Sequence, residues 1–194
     1  QDYIIDDQDG IKEPLGMSGV RLEARVHIVT STVTSAQNIV KCCNRAGLTI
    51  GDIILMPLAA AEAVLSGEER ELGVALVDIG SGTTDIAVFH DGTVRHSAVL
   101  SVGGNHLTND IAAGLRTPTA DAERIKQRYG LAKASTVSGD QRVEVSSVAG
   151  KAAGTVSRQI LCEIIEPRME EIFQLVQREI AKSGYEGSLA SGVV

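Results

Sequence analysis

Residues 74–92 read V-A-L-V-D-I-G-S-G-T-T-D-I-A-V-F-H-D-G, and this stretch decides the fold. Residues 74–79 form a short apolar run, and residues 84–90 form a second run that is rich in β-branched side chains. The glycine-rich residues 80–83 lie between the two runs. Two such runs around a short glycine-rich link are typical of paired antiparallel strands. We therefore predict a hairpin here and look for a functional site at its turn.

The turn has the composition of a phosphate-binding loop. Glycine at positions 80 and 82 leaves the main-chain N–H groups open to an anion, because no Cβ stands in the way. Thr83 and Thr84 add hydroxyl donors. The alternative is an ordinary tight hairpin whose glycines serve only the turn, and a bare G-x-G pattern favours that alternative.

Two aspartates flank the turn, and they favour a phosphate-binding turn over an ordinary hairpin. Asp78 precedes the turn and Asp85 follows it. Two carboxylates alone would repel a phosphate, but a magnesium ion with its water shell could stand between them and the phosphate. With both aspartates beside two glycines and two threonines, the pattern indicates a hairpin that binds phosphate and metal.

The composition argues against several classes of function. The 194-residue chain carries a net charge of -7, only 3% aromatic residues and no tryptophan, which argues against nucleic acid as a partner. Its 43% hydrophobic and 22% charged residues are ordinary for a globular protein. No apolar run reaches the roughly 18 residues that a membrane-spanning helix needs. Gln1 is not an initiator residue, so we expect a fragment of a longer protein.

The cysteines and histidines give no sign of a disulfide framework or a zinc site. Cys42 and Cys43 are adjacent, and neither a C-x-x-C pattern nor a Cys/His ligand spacing occurs in the sequence. We expect a reducing compartment, and we place both thiols on the core-facing side of a helix.

Hydrophobic periodicity predicts further elements on both sides of the hairpin. Alternation over residues 20–30 predicts a half-buried strand. The predicted elements that follow it are a helix at 35–46, a strand at 50–56, a helix at 58–66 and a polar link at 67–71. Those predicted after the hairpin are a strand at 93–102, helices at 106–115 and 120–129, an edge strand at 142–148 and a long helix at 156–182.

Two of these helices carry further candidate site residues. The sequence G-G-N at 103–105 opens the helix at 106–115, whose N-terminal N–H groups form a second candidate anion site. Glu123 and Lys126 lie three residues apart on one face of the next helix. The plainer interpretation of this pair is a solvated ion pair.

The hairpin sequence V-D-I-G-S-G-T-T-D at 77–85 resembles the second phosphate motif of the actin and heat-shock-chaperone ATPase superfamily. Three further stretches match this superfamily in order and spacing, at residues 57–61, 102–105 and 122–126. The resemblance implies an α/β protein with the actin-like (ribonuclease H-like) ATPase fold, and it implies ATP and Mg²⁺ as ligands.

Within this superfamily the chain is similar, over nearly its whole length, to the FtsA family of bacterial cell-division proteins. The similarity is carried by G-M-S-G-V-R-L-E-A-R-V-H at 16–27, E-E-R-E-L-G-V-A-L-V-D-I-G at 68–80, R-T-P-T-A-D-A-E-R-I-K at 116–126 and I-I-E-P-R at 164–168. It implies an ATP-binding protein that polymerises, binds the C-terminal tail of the tubulin-like protein FtsZ and recruits later division proteins. The implied location is the division site on the cytoplasmic face of the inner membrane, with membrane contact only through a C-terminal segment outside these residues.

The resemblance also implies a division into subdomains. Residues 1–49 correspond to part of subdomain 1C, residues 50–72 to the return into subdomain 1A, and residues 73–115 to subdomain 2A. Residues 116–186 correspond to subdomain 2B, and residues 187–194 correspond to the start of a return strand into 2A.

The same resemblance implies roles for individual residues. The residues that it places at the nucleotide are Asp78, Gly80, Ser81, Gly82, Thr83, Gly103, Gly104, Asn105, Glu123 and Lys126. Residues 80–83 would meet the β- and γ-phosphates, and Asp78 would hold Mg²⁺ through water. Glu123 and Lys126 would meet the ribose and base. The FtsZ tail would dock on the 2B helices, where the candidate residues are Arg168, Arg178 and Lys182.

One residue departs from the superfamily pattern. The resemblance implies that the chaperone and MreB-like members carry a glutamate that positions the attacking water, and Met56 stands at that position here. A thioether neither accepts a proton nor orients water strongly, so we expect at most very slow ATP hydrolysis and assign no catalytic residue. The alternatives that stay open are an active ATPase or phosphotransferase of the same superfamily and an FtsA-like pilus-assembly adaptor.

Overall fold

The chain divides into two units in a computed structural model that describes residues 2–146 and 154–194. Unit 1 comprises Gln1–Leu76, Ala87–Ser97 and Ser183–Val194, and unit 2 comprises Val77–Ile86 and Ala98–Lys182. Both units contain helices and strands, so the predicted α/β class is confirmed.

Unit 1 begins with a three-stranded antiparallel sheet, followed by three helices. The strands are β1 (Asp2–Ile5), β2 (Gln8–Ile11) and β3 (Leu22–Arg25), in the order β2-β1-β3. The helices are α1 (Val33–Arg45), α2 (Met56–Val64) and α3 (Gly67–Leu72).

Helix α3 occupies the stretch for which we predicted a polar link, so that prediction is wrong. Ser66 and Glu69 form a reciprocal cap: the Glu69 N–H donates to Ser66 Oγ at 3.2 Å, and the Ser66 N–H donates to the Glu69 carboxylate at 2.7 Å. These hydrogen bonds to the Ser66 N–H and hydroxyl hold the pKa of Glu69 below its usual value. The S-x-x-E pattern at 66–69 was the sequence signal for this helix start.

The predicted hairpin and the strand after it are confirmed. They form β4 (Val74–Ile79), β5 (Thr84–His90) and β6 (Thr93–Leu100), in the sheet order β4-β5-β6. Residues 84–89 of β5 are all buried, as expected for a strand with neighbours on both edges and side chains packed on both faces. Asp91 and Gly92 join β5 to β6 with left-handed φ angles of 53° and 72°, which suit a two-residue hairpin turn.

The core of unit 1 joins α2 to the strands of the hairpin. Its buried members are Ala61, Leu65, Val74, Leu76, Ala87 and Phe89. The end of the chain adds a short parallel pairing to β4, in which the Ala75 N–H donates to the Gly192 carbonyl at 3.0 Å and the Val194 N–H donates to the Ala75 carbonyl at 2.9 Å.

The prediction of a half-buried strand over residues 20–30 is wrong in length and in burial. Only β3 is a strand, and Val20, Leu22 and Ile28 are 100%, 61% and 77% exposed. Alternation in a sequence shows which face of a strand is apolar, but it does not supply the layer that covers this face. Within the described residues, β3 pairs with β1 and its apolar face stays open.

Two other predictions in unit 1 are also wrong. Residues 50–56 form no strand, because the segment before α2 has no regular structure and Met56 already belongs to that helix. Helix α1 buries none of its residues, so Cys42 is exposed and Cys43 is half-buried rather than core-facing. The periodicity of α1 is real, but none of the elements described here covers its apolar face.

Unit 2 packs three helices around a small core. The helices are α4 (Gly104–Leu115), α5 (Thr119–Tyr129) and α6 (Arg158–Lys182), and α4 packs against both α5 and α6. A two-stranded antiparallel sheet pairs β7 (Arg142–Val145) with β8 (Gly154–Ser157). Residues 147 and 148 of the predicted edge strand lie outside the described residues.

The long helix α6 is amphipathic. Its buried residues are Leu161, Cys162, Ile165, Ile172, Val176 and Ile180. The 3.6-residue spacing predicts that the apolar stripe of this helix is core, and the structure confirms this for most of the stripe. Ile160 and Phe173 belong to the same predicted stripe but are 47% and 54% exposed, so for them the prediction is wrong. None of the helices in the described ranges is long and apolar enough to cross a bilayer.

Candidate functional site

The turn at residues 80–83 is closed by one backbone hydrogen bond, from the Gly80 N–H to the Thr83 carbonyl at 2.8 Å. Its tip, Ser81, Gly82 and Thr83, is exposed. A Cβ added to Gly82 would meet no described atom within 4 Å, and Gly82 does not have the left-handed φ that favours glycine. Neither the packing nor the backbone of the turn therefore requires glycine at this position.

This observation bears on the choice between a plain hairpin turn and a ligand site. At Gly80, an added Cβ would lie 3.2 Å from the Thr83 carbonyl, so packing alone favours glycine there. At Gly82, packing does not require glycine, because the space that a Cβ would occupy is empty of described atoms within 4 Å. An open approach to main-chain N–H groups is what a phosphate cradle needs.

The two aspartates beside the turn differ in their surroundings. Asp78 is half-buried at the end of β4, and its carboxylate has no hydrogen-bond or ion-pair partner in the described part of the chain. Asp85 is only 7% exposed and accepts a hydrogen bond from Thr83 Oγ1 at 3.1 Å. Of the two carboxylates, that of Asp78 is therefore without a described partner, whereas that of Asp85 fixes the turn.

The prediction that Thr84 supplies a hydroxyl donor to an anion is wrong. Thr84 is fully buried and its hydroxyl donates to the Val102 carbonyl at 2.8 Å. This bond ties β5 to the segment that leads into α4. A threonine next to a glycine-rich turn can face the ligand or the core, and the sequence does not distinguish the two.

Residues 103–105 lie directly against the turn. The Gly104 N–H donates to the Gly80 carbonyl at 2.9 Å, and the Asn105 N–H donates to the Ser81 carbonyl at 2.7 Å. A Cβ on Gly103 would lie 2.5 Å from the Gly80 carbonyl oxygen, so only glycine allows this approach. Gly103 has an extended φ of -174°, so the requirement comes from packing and not from the backbone angle.

The second anion site that we predicted at the start of α4 has its donors occupied. The Gly104 and Asn105 N–H groups donate to the turn, and the His106 N–H donates to the Gly103 carbonyl at 3.0 Å. His106 Nδ1 in turn accepts from the Gly103 N–H at 3.2 Å. The helix N-terminus is thus satisfied by carbonyls of the chain itself, and these N–H groups support the turn rather than receive an anion.

Glu123 and Lys126 do more than form a solvated ion pair. Lys126 Nζ lies 2.7 Å from Glu123 Oε2, 2.9 Å from Thr108 Oγ1 and 3.0 Å from the Gly104 carbonyl oxygen. Thr108 also donates to Glu123, and Gln127 donates to the other carboxylate oxygen at 2.8 Å. Hydrogen bonds from Lys126 and Thr108 hold the pKa of Glu123 below its usual value.

The ten residues predicted at the nucleotide all belong to unit 2. Hydrogen bonds connect the turn at 80–83, residues 103–105 and Lys126. Residues 103–105 bond to the turn on one side and to Lys126 on the other. Thr108 is the site residue that sequence reasoning missed. Its only signal in the sequence was a polar residue next to Leu107. The structure shows that Thr108 is 3% exposed on α4.

The three cations predicted to meet a partner differ in their availability. Arg168 makes a bidentate ion pair with Asp110 of α4, with N–O distances of 2.7 and 3.1 Å, and it also pairs with Glu171. The hydrogen bonds to Asp110 raise the pKa of Arg168. Lys182 pairs with Glu179, whereas Arg178 is exposed and makes no hydrogen bond or ion pair with the described residues.

The residues beside the turn can be compared with the ligands that Mg²⁺ usually takes in proteins. Among the described residues there is no group of three or more His, Cys, Asp or Glu side chains that could hold a metal ion. Mg²⁺ is usually bound through one or two carboxylates, water and the phosphates of its ligand. Asp78 beside an open glycine turn fits that pattern.

Solved structures define the class of fold. MreB5 of Spiroplasma citri bound to ADP is similar with a TM-score of 0.64 and 20% identity, over 78% of this chain and 48% of that chain. EutJ, an ethanolamine utilization protein from Carboxydothermus hydrogenoformans, gives a TM-score of 0.54 with 23% identity, over 76% of this chain and 43% of that chain. The chain therefore has the actin-like ATPase fold, as the hairpin motif predicted.

Sequence relatives define the family within this class. The family model for cell division protein FtsA matches residues 75–194, and the model for the SHS2 domain inserted in FtsA matches residues 1–30. The chain is 54% identical to cell division protein FtsA of Pseudomonas aeruginosa, over 100% of this chain and 46% of the relative. It is 47% identical to FtsA of Escherichia coli, over 100% of this chain and 48% of the relative.

The chain belongs to the FtsA family of cell division proteins. A more distant member is FtsA of Bacillus subtilis, which is 43% identical over 94% of this chain and 41% of the relative. The chain spans about half the length of the curated relatives that it matches.

The contrast between Gly103 and Gly82 gives a prediction about stability. Gly103→Ala should lower the free energy of unfolding by about 1–3 kcal/mol, because its Cβ would overlap the Gly80 carbonyl. Gly82→Ala should change it by no more than about 0.5 kcal/mol. Urea unfolding followed by circular dichroism measures both, and equal destabilisation by the two variants would contradict the packing described here.

Proposed function

We propose that this chain contributes one side of the ATP site of an FtsA-family protein that polymerises and links the FtsZ ring to the inner membrane. The observation that carries the proposal is the turn at 80–83, which is held from behind by residues 103–105 and open to solvent at Gly82. One fold relative, MreB5 of Spiroplasma citri, was solved bound to ADP and bound to AMPPNP, which supports ATP as the ligand.

In this proposal each part of the site has a separate task. Ser81, Gly82 and Thr83 receive the β- and γ-phosphates at the exposed tip of the turn, and Gly80 closes the turn behind them. The free carboxylate of Asp78 accepts hydrogen bonds from water on Mg²⁺, which neutralises phosphate charge when it is bound. Residues 103–105 support the turn, and Glu123 faces the ribose.

We further propose the subdomain division that the family resemblance implies. Residues 1–49 belong to subdomain 1C, 50–72 to the return into 1A, 73–115 to 2A, 116–186 to 2B and 187–194 to the return strand. The match of the SHS2 model to residues 1–30 supports the first assignment. The parallel pairing of residues 192–194 with Ala75 supports the last one.

ATP acts in this proposal mainly as a structural ligand. Met56 opens α2 at the position where chaperone-like ATPases carry the water-positioning glutamate, and it is half exposed. A thioether cannot serve as a general base. The protein therefore holds ATP for long periods and sets its filament state by occupancy, while an active ATPase is the competing function.

The proposed partners are the FtsZ C-terminal tail, further copies of the protein and later division proteins. The proposed location is the cytoplasmic face of the inner membrane at the division site, reached through a C-terminal segment outside these residues. On α6, Arg178 is the cation best placed to meet an acidic tail, because it is exposed and no described carboxylate neutralises it. Arg168 contributes less, since its guanidinium is already held by Asp110.

The assignment of the turn at 80–83 to phosphate binding is tested by Gly82→Val. The experiment uses the full-length protein, meaning a protein that contains this chain and has the length of its FtsA relatives. The branched Cβ fills the space where phosphate would meet the backbone, so ATP affinity should fall at least about tenfold in a fluorescent-nucleotide titration. Gly51→Val is the matched control, because its added Cβ also meets no described atom within 4 Å. If Gly82→Val and the control Gly51→Val both bind ATP with the wild-type affinity, the turn does not bind phosphate.

The slow-hydrolysis proposal is tested by Met56→Glu in the same protein. A carboxylate at this position supplies the missing general base, so phosphate release per site should rise by roughly 10²-fold. Met56→Leu, which is apolar and of similar size, can neither accept the proton nor orient water and should stay at the wild-type rate. A wild-type turnover near the typical 1–10³ s⁻¹ of enzymes would instead establish the active-ATPase alternative.

The partner proposal is tested by fluorescence anisotropy with a labelled FtsZ C-terminal tail peptide. Arg178→Glu should weaken saturable binding by about five- to tenfold, as expected for one exposed charge at an interface. Lys133→Glu makes the same change of net charge at another exposed position of unit 2 and should have little effect. If both variants weaken binding equally, only the net charge matters and α6 is not the docking site.

A further inference from the structure

The ammonium group of Lys126 is surrounded by protein acceptors. It contacts Glu123 Oε2 at 2.7 Å, Thr108 Oγ1 at 2.9 Å and the Gly104 carbonyl oxygen at 3.0 Å. A lysine ammonium has three N–H donors, so the acceptors already present match its donors in number. The side chain is also only 20% exposed. All three ammonium donors of Lys126 are therefore engaged by acceptors of the protein itself.

The Gly104 carbonyl links Lys126 to the phosphate turn through a single peptide group. The carbonyl of the Gly104–Asn105 peptide accepts from Lys126, and the N–H of the same peptide donates to the Ser81 carbonyl at 2.7 Å. A cation on the carbonyl polarises the peptide, which strengthens the hydrogen bond that its N–H donates. Lys126 thus acts on the turn at Ser81 without touching it.

Thr108 holds this arrangement in place. It is 3% exposed, accepts from Lys126 and donates to Glu123, so its hydroxyl joins the two charged groups. Glu123 differs from Lys126 because a carboxylate has about four lone-pair sites and can still accept from a ribose hydroxyl. The two charged residues of α5 are therefore not equivalent towards a ligand.

We propose that Lys126, held by Thr108, is a positioning residue for the phosphate turn, whereas Glu123 acts only at the nucleoside end of the site. The inference rests on the proposed nucleotide site and deepens it. Removing Lys126 loosens the peptide behind Ser81, so the phosphate end of the site loses affinity. Removing the charge of Glu123 affects only ligands that carry a nucleoside.

Two ligands separate these roles in the full-length protein. Mg²⁺–ATP carries both a nucleoside and phosphates, whereas Mg²⁺–tripolyphosphate carries phosphates alone. Lys126→Met and Thr108→Val should weaken both ligands by a similar factor, on the order of tenfold, as expected for lost hydrogen bonds to a charged group. Glu123→Gln should weaken ATP and leave tripolyphosphate unchanged. Thr108→Ser keeps the hydroxyl and should bind both ligands like the wild type.

Hydrogen exchange without ligand supplies a second, independent readout. The amides of Gly104 and Asn105 donate to the turn, so Lys126→Met and Thr108→Val should speed their exchange at least about tenfold, while Lys133→Met should not. If Lys126→Met weakens ATP but changes neither tripolyphosphate binding nor exchange, Lys126 is a nucleoside contact and the inference is overturned. If the wild type binds neither ligand, the proposed function fails, and the exchange result still decides the role of Lys126.

Discussion

The site depends on the close approach of Gly103 to the turn of the hairpin. A Cβ at this position would stand 2.5 Å from the Gly80 carbonyl oxygen, so any other residue would push α4 away from the turn. The approach lets the Gly104 and Asn105 N–H groups reach the carbonyls of Gly80 and Ser81. Because those carbonyls are held from behind, the turn that we propose as the phosphate site is kept in a fixed arrangement. A preorganised turn binds an anion without the cost of ordering the loop first.

The parts of the fold that could be predicted from the sequence are those set by neighbours in the chain. The hairpin follows from two apolar runs around a glycine-rich link, and the tight turn at Asp91 and Gly92 follows from residues that tolerate a left-handed φ. The superfamily motif was equally local, and the resemblance to the FtsA family that it led to is confirmed. The start of α3 had a local signal as well, the capping pattern of Ser66 and Glu69, which the charged composition of the segment obscured.

The predictions that failed concern what lies opposite a residue in space. Thr84 was expected to face an anion, yet the Val102 carbonyl, 18 positions away, takes its hydroxyl. The N–H groups at the start of α4 were expected to be free, and carbonyls of the turn occupy two of them. The apolar faces of α1 and β3 follow the predicted periodicity, but their burial depends on a covering layer that the described residues do not provide. Sequence periodicity carries no information about such partners.

Helix α4 is the element that the proposed nucleotide site and the proposed partner surface share. Its first residues support the phosphate turn, Thr108 in its second turn binds Lys126 and Glu123, and Asp110 holds Arg168 of α6 at 2.7 and 3.1 Å. A helix of this length moves nearly as a rigid body, because each turn is bonded to the next. The Asp110–Arg168 pair, which is partly buried and bidentate, continues this connection from α4 to α6. Arg168 therefore holds α6 against α4, and for the same reason it is poorly available to an acidic tail.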